Sequence, residues 1–89
     1  MINEFLIKEF GDRIKSLRIN HNLSQETLAH KTGFHRTYIG MIERGERNIS
    51  LTNIAVFAKV FKMSISDLLN FNSESKAHKY SDYKTKSEL

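Results

Sequence analysis

Arg36, Thr37, Gly40 and Arg44 fall on one arc of a helical wheel, and Arg47 follows in the loop behind them. With Arg36 at zero and about 100° per residue, the arc also takes in Glu43. Tyr38, Ile39, Met41 and Ile42 occupy the rest of the wheel. One side is therefore apolar and suited to a core. The other is polar, short at its middle and tipped by arginine at both ends. An arginine fork can donate two hydrogen bonds to guanine O6 and N7 in the DNA major groove, which is wide enough to admit a helix. Thr37 can offer its hydroxyl to a base or phosphate, or its methyl to thymine. Gly40 is expected at the centre of the exposed side. A glycine inside a helix costs roughly 1 kcal/mol relative to alanine. Without a Cβ, a second surface can come closer to its backbone. The alternative is a tolerated glycine between solvated arginines, and the wheel alone does not separate the two.

Composition narrows the classes open to the chain. It has 89 residues, which favours a single small domain. The absence of cysteine excludes disulfides and thiolate metal sites. The absence of proline leaves helices uninterrupted. No apolar run is long enough for a membrane span and no signal-peptide pattern opens the chain, so the cytoplasm is the expected location. The formal net charge of +4 favours polyanions. The histidines offer no metal site: His30 and His35 straddle a turn rather than pairing one helical turn apart. No nucleophile–base–acid set and no glycine-rich phosphate loop is recognisable, so neither an enzyme nor a cofactor or small-molecule site is expected.

Five helices must position the arc. The first is expected from about Asn3 to Asn20, with Ile7, Phe10, Ile14 and Leu17 on one face and Gly11 weakening its N-terminal half. Ser24 caps the second, which runs to Gly33, a residue suited to a left-handed stop. The third spans about His35 to Arg44, with Gly45 as its stop. Ser50 caps the fourth, whose Leu51, Ile54, Phe57, Ala58 and Phe61 should point inward. Ser64 and Asp67 form a capping-box pattern at the start of the fifth, with Ile65, Leu68 and Leu69 as its apolar positions. The fold class is all-α, a compact five-helix bundle. Residues 1–71 form the expected domain and residues 72–89, polar and aperiodic, a flexible tail. The second and third helices, joined by the tight turn at Gly33, have the helix-turn-helix layout.

The run LSQETLAHKTGFHRTYIGMIERGERNISLTNIAVFAKVFKMSISDLL resembles the Xre-type, lambda repressor-like helix-turn-helix domain of small phage repressors and Cro proteins. The resemblance rests on Gln25, Ala29, Gly33, the Ile39/Ile42 pair and Ile42-Glu43-Arg44-Gly45, and it covers about Phe10 to Leu69. Within that family, HRTYIGMIERGERNISLTNI is similar to the controller proteins of restriction–modification systems. This resemblance implies a homodimeric transcription regulator on palindromic double-stranded DNA upstream of its own gene and an endonuclease gene. It maps Arg36, Thr37 and Arg47 onto base-contacting positions, with Gly40 between them. Arg47 could instead pair with Glu46 or Glu43 on the surface. Gln25 sits at a helix N-terminus that can hold a phosphate oxygen. Tyr38, Arg44, Asn48 and Ser50 are further phosphate candidates. Arg18 and Glu43 match a partly buried ion pair between the first and third helices of phage repressors.

Two positions depart from the controllers. His35 replaces a better helix cap, and Gly40 replaces a small hydroxyl residue. Dimerisation is expected through Ile65, Leu69 and Phe71, although all three could instead belong to the intrachain core. An antitoxin that captures a toxin, or a phage-type repressor, are the alternative functions.

Overall fold

Helices in this chain begin where a side chain accepts a bond from one of the first free backbone N–H groups. The computed structural model describes residues 3–71, and the tail expected at 72–89 lies outside them. The helices are α1 (Glu4–Asn20), α2 (Gln25–Thr32), α3 (Arg36–Glu43), α4 (Leu51–Val60) and α5 (Ile65–Leu68). The Asn3 side chain accepts from the Leu6 N–H, and Ser24, Ser50 and Ser64 accept from Thr27, Asn53 and Asp67. Each such cap is worth about 1 kcal/mol. Gly33 closes α2 at φ 80°, and Gly45 turns the chain after α3 at φ 75°, a conformation unfavourable for side chains with a Cβ. Among the described residues there is no strand, and no helix is long and apolar enough to cross a membrane.

The expected apolar stripes converge on one core. Ile14, Leu28, Ile39, Ile42, Phe57 and Leu68 are fully enclosed, with Phe10, Leu17, Ala29, Ala58 and Phe61 around them. Phe57 is the hub: Phe10 meets it edge-on at 6.3 Å and Phe34 tilts against it at 5.4 Å between ring centroids. Each such pair adds roughly 0.5–1.5 kcal/mol beyond the buried area.

One expectation fails for a positional reason, and two positions take on a different meaning. The spacing of Leu51 predicts an inward position, yet it is 69% exposed. It is the first residue of α4 and overhangs the edge of the core. Ile65 and Leu69 are exposed at 37% and 38%, and only Leu68 of α5 is buried. Gly11 does not break α1, which runs through it. It is instead the point where α1 crosses the end of α3. A Cβ there would collide with the Ile42 carbonyl oxygen and come within 3.0 Å of that of Glu43.

A side chain from α1 secures α5, which is a single turn. Arg13 donates to the Asp67 carbonyl at 2.8 Å and to the Leu68 carbonyl at 3.0 Å. These are carbonyls that a helix end leaves without intrahelical partners. The sequence pattern held no sign of this long-range cap.

Candidate nucleic-acid interface

The N-terminus of α3 is set by an unusual cap. The Thr37 N–H donates to His35 Nδ1 at 3.2 Å, so His35 serves as the cap despite being a weak residue for that position. The acceptor must be an unprotonated nitrogen. Arg36 and Thr37 follow immediately and both are exposed. Among the described residues, no hydrogen bond or ion pair engages the Arg36 guanidinium.

Tyr38 is half-buried and held on three sides. Its ring meets Phe34 edge-on at 5.2 Å. Its hydroxyl accepts from Asn53 Nδ2 at 2.9 Å, which ties α3 to α4. The Arg47 guanidinium lies over its ring, 5.1 Å from the centroid. A cation so placed is attracted by the ring's quadrupole. The loop arginine therefore returns to the base of α3 instead of pairing with Glu46 or Glu43. Nothing in the α4 sequence pattern shows that the Asn53 amide faces a tyrosine.

Below this surface, the Arg18–Glu43 pair forms as the resemblance implied. Arg18 donates through Nε to Glu43 Oε2 at 2.7 Å and through a terminal nitrogen to Oε1 at 3.2 Å. Its other terminal nitrogen donates to the Leu23 carbonyl at 2.8 Å. Gln25 Nε2 adds a third bond to the carboxylate, reaching Oε1 at 3.1 Å. Glu43 is 4% exposed. Its three donors arrive from α1 and α2, so one carboxylate fixes the position of α3 against both.

The centre of the polar arc differs from expectation. Gly40 is buried, not exposed. The Arg44 side chain folds back across it, and a terminal guanidinium nitrogen stands 3.1 Å from where a Gly40 Cβ would be. Glu46 holds Arg44 there, accepting from Nε at 3.0 Å and from a terminal nitrogen at 3.1 Å. That hydrogen bond, ahead of simple charge attraction, raises the Arg44 pKa, and the same bond lowers that of Glu46. Asn48 and Ser50 are exposed, and the Ser50 oxygen already accepts the Asn53 N–H at 3.2 Å. Among the described residues no group of His, Asp or Glu is arranged to hold a metal ion.

Comparison with known proteins gives this surface its family. A family model described as helix-turn-helix matches residues 14–68. The control protein C.SmaI of Serratia marcescens is 47% identical over 64 residues, covering 71% of this chain and 76% of that protein. The chain belongs to the helix-turn-helix family, among the restriction–modification controller proteins. The controller protein C.AhdI from Aeromonas hydrophila superposes with a TM-score of 0.67 at 44% identity, over 70% of this chain and 94% of that one. The controller C.Esp1396I, solved as a tetramer in complex with its natural 35 base-pair operator, matches at a TM-score of 0.66 and 32% identity, over 73% of this chain and 90% of that one. The helix-turn-helix of the present chain is α2, the Gly33 turn and α3, and the exposed Arg36 turn lies at the start of its second helix.

Proposed function

We propose that the chain is a sequence-specific DNA-binding regulator of transcription, the controller of a restriction–modification system. In this role it acts as a homodimer on palindromic DNA upstream of its own gene and of an endonuclease gene. The observation that carries it is the identity to control proteins across the whole helix-turn-helix, combined with an Arg36–Thr37 turn left open to solvent. Binding, not catalysis, is the activity, and the cytoplasm is its place.

The second helix of a helix-turn-helix enters the major groove with its N-terminal residues on base edges. Arg36 and Thr37 occupy that position here, and Arg47 joins them from the loop by lying against Tyr38. Gly40 allows close approach of the groove wherever Arg44 vacates it. Gln25, Tyr38, Arg44, Asn48 and Ser50 are the phosphate contacts, and they fix the register without reading sequence. One reading helix covers few base pairs, so two are required, about 34–36 Å apart on one face of the duplex. Ile65 and Leu69 offer exposed apolar surface for pairing, and Phe71 packs partly against the core beside them.

The test is fluorescence anisotropy with a labelled duplex taken from the DNA just upstream of the chain's own gene. At near-physiological salt it should bind at least about a thousandfold more tightly than an unrelated duplex of equal length. Equal affinity for the two would end the proposal.

A further inference from the structure

The polar arc of α3 is closed at its centre in the free protein. Gly40 lies on the side that faces away from the core, yet it is buried: the Arg44 guanidinium lies 3.1 Å from where its Cβ would be, with Gln25 Oε1 behind it at 3.8 Å. The two are one helical turn apart, so the missing Cβ leaves a slot into which the guanidinium lies back. Glu46, two residues further on, receives two of the fork's donors, at 3.0 and 3.1 Å. The carboxylate thus offers the arginine the planar, two-bond partner that a phosphate would offer in a complex.

We propose that Glu46 is a built-in brake on DNA binding: it holds Arg44 across Gly40, and the face opens when Arg44 exchanges this carboxylate for a DNA phosphate. This inference rests on the DNA-binding role above and adds a residue to it. While Glu46 holds Arg44, the guanidinium fills the centre of the surface that must meet the groove. Opening uncovers the Gly40 backbone and frees a phosphate-binding cation in the same motion. The shifts in both pKa values agree with a formed pair in the free protein. Both side chains remain about half exposed, at 59% and 49%, so the pair is weak enough for a polyanion to displace.

A double-mutant cycle tests this, with Glu46→Gln, Arg44→Gln and the double variant. The probes are the upstream duplex and an unrelated duplex at about 0.1 M salt, where surface charges are still felt over roughly 10 Å. Removing a negative charge near DNA tightens binding by itself, and the Arg44→Gln background measures that general effect. Glu46→Gln should tighten binding about threefold more with Arg44 present than without it, for each reading helix engaged. Equal gains in the two backgrounds would overturn the brake. So would a smaller gain, or a loss, with Arg44 present, because Glu46 would then be positioning Arg44 for its phosphate. A wild-type chain that binds neither duplex would overturn the DNA-binding role together with the brake. Since both residues are exposed, every variant should keep the wild-type melting curve.

Discussion

Glu43→Ala is expected to be the most destabilising single change considered, costing about 3–5 kcal/mol. The substitution leaves the Arg18 guanidinium, whose side chain is 12% exposed, without its carboxylate. The Leu23 carbonyl remains as one acceptor, but Nε, one terminal nitrogen and the Gln25 amide lose theirs. Removing one partner of a buried pair costs about 3–5 kcal/mol. A domain of this size holds only roughly 0.05–0.15 kcal/mol per residue of net stability. The loss is therefore a large fraction of the whole. Urea titration followed by circular dichroism measures it. The pair's value lies in geometry more than in net energy, so Arg18→Met combined with Glu43→Leu should recover much of the stability that either single change loses. A double variant no better than Glu43→Ala would show that the pair itself contributes net stability.

Gly11→Ala is expected to destabilise by about 1–3 kcal/mol, the range for overpacking in a close-packed interior. This is the reverse of what helix propensity predicts, since alanine should gain roughly 1 kcal/mol over glycine inside a helix. The reason is the crossing of α1 over the end of α3. The obstacle is the backbone of Ile42 and Glu43, which cannot give way unless the whole of α3 shifts. In a small domain, 1 kcal/mol moves the melting temperature by about 4–8 °C. Gly40→Ala is the control. Its Cβ would press only on the far end of Arg44, a flexible side chain, and meet Gln25 Oε1 at an ordinary 3.8 Å, so that variant should melt at or above the wild-type temperature. Equal melting temperatures for the two variants would refute the close approach at Gly11.

The contrast between the two glycines shows what the sequence does and does not carry. Both interrupt a helix at the same local cost, and only the partner across the interface distinguishes them. The helical wheel sets Gly40 among arginines, which points to a functional role. Gly11 holds the packing constraint, and no periodicity within α1 signals it. The serine caps were legible because the donor and the acceptor are three residues apart. The stops at Gly33 and Gly45 were legible for the same local reason. The Arg13 cap on α5 spans 54 and 55 residues, and Asn53 reaches Tyr38 from another helix, so neither was visible in sequence. The Arg18–Glu43 pair was anticipated only through resemblance, because charge spacing 25 residues apart carries no geometric information. Leu51 shows the limit of periodicity itself: an apolar position in phase with the core still lies outside it when the helix begins there.

The exposed Arg36 turn and the Arg47 loop beside Tyr38 make up the surface on which recognition depends. The most direct measurement is the affinity ratio between the upstream duplex and an unrelated duplex for the Arg36→Ala, Arg47→Ala double variant. An arginine–guanine pair discriminates by about 1–3 kcal/mol, so losing both should cut the ratio by at least about thirtyfold. Non-specific binding should weaken far less, and the melting curve should remain close to wild type. A folded double variant that keeps the wild-type ratio would contradict the assignment of these two side chains as readers of base sequence.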